Sequence, residues 1–215
     1  MTLLAVDTTS EFGSLALSRD SVALEVAALH SPDGFGHVLF QAIRALVERH
    51  GLALSDIDGY AGASGPGSFT GVRVGLTAIK GLAEAHGKRV VAISNLQALA
   101  WAGRGALRAA VIDARRGEVY AAIYDEAMQA VAPETVGPLE EFLQSIQGRA
   151  VTFVVTEGSA LVPRLAPVVT ATRELAGPVA ALAALEFAAG RALPPEQVDA
   201  NYIRRSDAEL KWKEA

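Results

Sequence analysis

Hydrophobic and polar positions divide the first hundred residues into short blocks. Thr2–Thr8 is apolar and stops at Asp-Thr-Thr-Ser, the pattern of a buried strand ended by turn formers. Gly13–Ser18 alternates, with Leu15 and Leu17 on one face, and Arg19-Asp20-Ser21 reads as a turn. Val22, Leu24 and Val26 alternate again, so an antiparallel meander is predicted after the first strand. Ser31-Pro32-Asp33-Gly34 breaks the chain. A first helix is predicted from about Gly36 to His50, with Leu39, Ile43, Leu46 and Val47 at helical spacing and Gly51 as its stop. A short strand near Gly59–Ala63 leads into "GPGSFTGVRVG", and a second helix follows to about His86, ended by Gly87. Arg89–Ser94 reads as another buried strand, with Asn95 capping a third helix toward Trp101.

The second half restarts the theme. Leu107–Asp113 is an apolar strand ending in Asp, Arg115-Arg116-Gly117-Glu118 is a turn, and Val119–Tyr124 is the return strand. A strand ending in Asp and followed by a hairpin thus occurs twice. This predicts two lobes of related build, residues 1–103 and a smaller 104–215. The second carries a helix near Leu139–Gln147, a strand at Val151–Val155, an Ala-rich helix at Pro178–Ala192 and the polar tail "ANYIRRSDAELKWKEA".

Composition then narrows the chemistry. The 215 residues are 51% apolar and 20% charged, which fits a folded globular chain with an ample core. The net charge of −5 argues against a bulk electrostatic grip on nucleic acid. With no cysteine there is no disulfide framework, thiol nucleophile or thiolate metal site. The N-terminal "MTLLAVDTTSEF" lacks the basic start of a signal peptide, and no apolar run is long enough to cross a bilayer. A soluble, cytoplasmic protein without a membrane partner is expected.

Asp7 and Asp113 are the candidate carboxylates for an ATPase or kinase that positions Mg²⁺. Against that role, Asp7 sits where a side chain caps its own turn, and Arg115-Arg116 can partner Asp113. Glu157-Gly158-Ser159 is a poor candidate for an adenosine-binding loop. His37 has Gln41, not His, four residues on, and His30, His50 and His86 fall at a strand end and two helix ends, so no metal site is expected. Ser68 and Thr70 have no His-Asp pair beside them in sequence, so neither is assigned as a nucleophile and no catalytic residue is expected. In the second helix Gly71, Gly75, Ala78 and Ala85 form a small-residue stripe beside Val72, Leu76, Ile79 and Leu82. Apolar surface on two faces points to a partner helix. The "GPGSFTG" loop then reads as a rigid turn with Ser68 or Thr70 as N-cap, while an anion grip by its N–H groups stays open.

Four stretches carry a specific resemblance: "LLAVDTTS", "GPGSFTGVRVGL", "VIDARRGEVYAAIY" and "ANYIRR". Together they resemble the TsaB (YeaZ) family of tRNA threonylcarbamoyladenosine biosynthesis proteins over about residues 2–205. "DGFGHVLFQAI" departs from the family's usual first-helix start in lacking a proline. The resemblance implies an α/β actin-like (ribonuclease H-like) fold with a reduced second lobe. It also implies a non-catalytic subunit that supports TsaD, the transferase that modifies the adenosine beside the anticodon. It further implies contact with TsaD through helices 1 and 2, homodimers through the same helices when TsaD is absent, TsaE in the larger complex and tRNA reached indirectly. No cofactor is required by the chain, although a nucleotide near the subunit interface is compatible with the family. The expected interface is Leu39, Ile43, Leu46, Gly71, Val74, Gly75, Ala78, Leu82 and Ala85, with Tyr202, Arg204 and Arg205 matching the family's tail and offering a docking patch for acidic protein or tRNA phosphate. The rival readings are an actin-like ATPase or kinase using Asp7 and Asp113, and a peptidase-like hydrolase suggested only by the naming of relatives.

Overall fold

Alternation of large and small apolar residues builds the first sheet. The computed structural model describes residues 1–204. In β1 (Thr2–Asp7), Leu4 and Val6 face one side and Leu3 and Ala5 the other, all buried. β2 (Phe12–Arg19) and β3 (Val22–His30) pair antiparallel to it as a meander, and β4 (Gly59–Ala63) and β5 (Arg89–Ile93) add in parallel, giving the order β3-β2-β1-β4-β5. The second sheet has β6 (Leu107–Arg115), β7 (Glu118–Asp125), β8 (Thr135–Pro138), β9 (Thr152–Thr156) and β10 (Val168–Ala171) in the order β10-β9-β6-β7-β8.

Helices fill the spaces in layers. α1 (Leu39–Arg49) and α2 (Phe69–His86) cover the Leu4/Val6 face of the first sheet. α3 (Asn95–Ala100) and α5 (Ala176–Ala188) lie in a middle core that joins the opposite face to Ala110, Ala122 and Val154 of the second sheet. α4 (Leu139–Ser145) covers the outer face of that sheet. The middle layer is made of small residues: Ala5, Ala16 and Ala61 meet Ala176, Ala180, Ala183 and Ala184 of α5. Small-on-small packing brings the helix close. A Cβ on Gly59 would lie 2.3 Å from Phe187 Cζ. Although α5 comes late in the chain, it returns to the first sheet, and Ser14 Oγ receives its first backbone N–H at 3.0 Å.

Several predicted boundaries shift for local reasons. α1 starts at Leu39 rather than Gly36 because Phe35 O ties Val38 N and Leu39 N into a preceding turn. Ser94, not Asn95, caps α3: its Oγ accepts from Leu96 N at 3.1 Å. α5 begins two residues before Pro178, within the first turn, where a missing N–H breaks no helical bond. β8 and β10 are absent from the sequence-based reading. Each is four residues long, and β8 contains Gly137 and Pro138, which normally mark a loop but are accommodated on an edge strand. Ser68 is the N-cap of α2, accepting from Gly71 N at 3.2 Å, and Gly87 ends the helix with φ 63°.

The glycines of α2 have a reason within the chain itself. A Cβ on Gly71 would lie 2.0 Å from Thr8 O, and one on Gly75 would lie 2.5 Å from Thr8 Oγ1. Gly67 is equally constrained, 2.6 Å from Thr9 O. Gly71 and Gly75 therefore seat the first half of α2 on the turn after β1. Gly81 differs, with nothing within 4 Å of the place a methyl group would take. Gly71→Ala is expected to lower unfolding free energy by about 2 kcal/mol, because overpacking against backbone outweighs the gain in helix propensity. Gly81→Ala is expected to raise it by up to about 1 kcal/mol. Denaturant melts of the two variants check this, and equal stabilities would refute the packing account.

Candidate functional site

The turn after β1 and the loop before α2 interlock. Asp7, 2% exposed, accepts from Thr9 N at 2.9 Å and Thr9 Oγ1 at 2.6 Å, both on Oδ1. Asn95 Nδ2 donates to Thr9 Oγ1 at 2.5 Å, while Asn95 Oδ1 accepts from Gly65 N at 2.8 Å. Ser68 N donates to Thr9 O at 2.7 Å, and Thr8 Oγ1 donates to Gly71 O at 2.7 Å. Gly65 N, Ser68 N and Gly71 N are thus engaged by the chain itself, which removes three donors from any anion cradle in this loop.

The other candidate groups are similarly absorbed. Asp113 is half exposed, and its Oδ1 accepts from Arg115 N at 2.8 Å in a turn where Arg115, Arg116 and Gly117 have positive φ. Asp7 therefore serves the turn that follows β1, and Asp113 the irregular end of β6. The Glu157–Ser159 turn is closed by Arg173, whose Nε donates to Glu157 O at 3.2 Å. His30 stacks on Phe12 with centroids 4.7 Å apart, and His50 Nε2 lies 2.8 Å from Glu25 Oε2. Among the described residues no group of three or more His, Asp or Glu side chains is arranged to hold a metal ion. None of their helices is long and apolar enough to cross a membrane.

Arg204 corrects an expectation. It is not a free docking cation: Nη1 donates to Ala114 O at 2.9 Å and Nη2 donates to Glu118 Oε2. Arg205 lies outside the described residues.

A groove lies open between the start of α1 and the outer side of α2. It has a volume of about 440 Å³ and is lined by Gly36, Leu39, Phe40, Phe69, Thr70, Arg73, Val74, Thr77 and Ala78. Two aromatic side chains stand open here, Phe40 at 56% exposure and Phe69 at 42%. Along α2 the exposed face continues through Thr77, Gly81 and Ala85, small residues without charge. An apolar face with two exposed aromatics has the composition of a protein-docking surface.

Comparison with known proteins agrees with the family resemblance. Residues 35–165 match the family model for TsaD, described as tRNA N6-adenosine threonylcarbamoyltransferase. The tRNA threonylcarbamoyladenosine biosynthesis protein TsaB of Escherichia coli is 32% identical, over 99% of this chain and 97% of that protein. TsaB of Bacillus subtilis is 30% identical, over 100% of this chain and 99% of its own length. The chain belongs to the TsaB family. The structure of YeaZ from Pseudomonas aeruginosa superposes with a TM-score of 0.80 at 31% identity, covering 94% of this chain and 99% of that one. The fold of this TsaB-family chain is accordingly the actin-like, ribonuclease H-like one.

On this TsaB-family fold the expected interface residues separate. Leu39, Ile43, Leu46, Gly75 and Ala78 are buried in the chain's own outer core, although Leu39 and Ala78 also floor the groove. Gly71, Val74 and Leu82 are half-buried, and Ala85 is exposed at the far end of the helix. The helical periodicity that identifies Leu39, Ile43 and Leu46 marks the face turned inward. Phe40 and Phe69 are absent from the predicted interface. Phe40 is visible in sequence as an aromatic out of phase with the buried stripe, and Phe69 as one placed at a helix's first position.

Burial holds the Asp7 carboxyl above its ordinary value of 3.8, against the opposing pull of Thr9 hydroxyl, Thr9 amide and Leu175 amide. A carboxyl raised by folding binds its proton more tightly in the native state. Its contribution to stability is present at low pH and is lost as pH rises from the ordinary value through the native one. Asp7→Asn keeps an Oδ1 acceptor for both Thr9 donors and removes the titration. The stability of this variant relative to the wild type is expected to rise as pH increases above about 4. Paired denaturant melts across that range check it, and a difference that stays flat with pH would refute it.

Proposed function

We propose that the chain is a non-catalytic subunit in the formation of threonylcarbamoyladenosine in tRNA. It holds the TsaD transferase through the α1–α2 groove. Two copies pair through the same groove when TsaD is absent, and TsaE and tRNA join through the complex. In this reading residues 1–103 form the docking lobe and 104–215 the smaller one, and the protein works in the cytoplasm. The observation that carries it is the uncovered groove with Phe40 and Phe69 open to solvent, in a chain of the TsaB family. Further support comes from Asp7 and Asp113, each already hydrogen-bonded within the chain.

The docking arm is tested at residues the core does not use. Phe40→Ala is expected to weaken TsaD binding by about 2 kcal/mol, roughly thirtyfold, with an unchanged melting temperature. Gly81→Arg places a charge on the exposed helix face and is expected to do the same. Calorimetry with purified TsaD from the same organism, alongside thermal melts, measures both quantities. Normal binding by both variants would remove the groove from the interface. The non-catalytic arm is tested with Asp113→Asn, expected to keep the activity of the reconstituted system within a few-fold. A loss beyond about a hundredfold, or 2.7 kcal/mol, with TsaD binding intact would overturn it.

A further inference from the structure

Residues 198–204 run from the outer core to the second sheet and touch both halves of the chain on the way. Val198 is buried beside α2, and its carbonyl accepts from Lys80 Nζ at 2.6 Å. Asn201 N donates to Ser64 O at 2.8 Å. Asn201 Nδ2 donates to Glu134 Oε2 at 2.6 Å. The other oxygen of Glu134 accepts from Ser94 Oγ and, at 2.6 Å, from Tyr124 OH. One carboxylate therefore joins the start of α3, strand β7 and the tail.

Beyond this point the tail has two arms. Tyr202 packs against Phe69 with centroids 5.2 Å apart, and its hydroxyl accepts from Arg73 Nε at 2.9 Å. The Arg73 guanidinium lies 3.8 Å over the Phe69 ring. Arg204 instead reaches the β6–β7 hairpin, where it pairs with Glu118 and Ala114 O and lies 5.5 Å over the Tyr120 ring. Phe69 and Arg73 both line the groove between α1 and α2.

We infer that residues 198–204 are a positioning strap: anchored on the second sheet by Arg204, they fix Phe69 and Arg73 and thereby preform the rim of the docking groove. This rests on the groove being the docking surface. A Phe and an Arg near the start of a helix, both open to solvent, sample several rotamers when nothing holds them. A partner that must freeze them loses affinity. The ring and hydroxyl of Tyr202 impose that order before the partner arrives. Arg204 acts at a distance, because the hairpin residues it grips, Ala114, Glu118 and Tyr120, do not line the groove.

The test compares Tyr202→Ala, Tyr202→Phe, Arg204→Ala and the charge exchange Arg204→Glu with Glu118→Arg. Two readouts are taken: affinity for purified TsaD by calorimetry, and amide hydrogen exchange over residues 69–73 in the full chain alone. Tyr202→Ala is expected to bind about tenfold more weakly and Arg204→Ala about threefold more weakly. Both should exchange faster over residues 69–73. Tyr202→Phe keeps the ring and should fall between wild type and Tyr202→Ala, and the charge exchange should recover most of the Arg204→Ala loss. Arg204→Ala with wild-type affinity and wild-type exchange would overturn the strap. Should Arg204→Ala fail to fold, the order of the two Tyr202 variants decides in its place, and equal affinity and exchange in both would overturn it. If the wild-type chain does not bind TsaD, the docking reading fails by itself. The strap is then judged on exchange alone, where unchanged protection in Tyr202→Ala refutes it.

Discussion

The contact on which the rest depends is backbone against backbone. The first half of α2 lies on Thr8 and Thr9, so close that a methyl group at Gly67, Gly71 or Gly75 would fall within 2.6 Å of Thr8 or Thr9 atoms. Such proximity is open only to glycine, and it is locked by Thr8 Oγ1 on Gly71 O and by Ser68 N on Thr9 O. It fixes the height of α2 above the first sheet. With that height set, Val72, Leu76 and Ile79 reach Leu4, Val6 and Tyr60 in one core. The opposite side of the helix is then left facing outward next to Phe40.

The same turn sends a second line of constraint inward. From Gly65 N through Asn95 and Thr9 to Asp7, each polar group meets a partner, so the buried end of β1 is held by directed bonds as well as by packing. Satisfying these groups engages Gly65 N, Ser68 N and Gly71 N within the chain, so the glycine-rich stretch before α2 joins the helix to the turn after β1. Burial at this joint, opposed by the hydrogen bonds from Thr9, favours the neutral form of the Asp7 carboxyl.

Much of this order is legible in the sequence, and the failures follow from what periodicity encodes. The buried run of β1, the alternation of β2 and β3, the Gly87 stop of α2 and the second hairpin are local signals, and the structure contains each of them, although β6 runs two residues past Asp113. The small-residue stripe of α2 is equally plain, but a stripe says only that something approaches closely. That Gly71 and Gly75 approach Thr8 is long-range information. Leu39, Ile43 and Leu46 fall in the predicted interface for the same reason, since helical spacing identifies a buried face without saying what buries it. β8 and β10 escape a sequence reading because each is short and held as an edge strand by a neighbour. The pairing of Arg204 with Glu118 spans 86 residues, beyond any local pattern.

The alanine-lined middle layer has an evolutionary consequence. At α1 and α4, each with one face open to solvent, a larger side chain is accommodated by moving the helix outward. α5 has no such freedom, with the first sheet against it at Gly59 and the second sheet sharing its core through Ala110, Ala122 and Val154. A single added methylene there must displace one sheet relative to the other. Descendants of this chain can therefore drift in the outer layers, where α1 and α4 have room, long before they drift in the middle. Relatives that have diverged almost everywhere else should still carry glycine, alanine or serine where α5 crosses the first sheet.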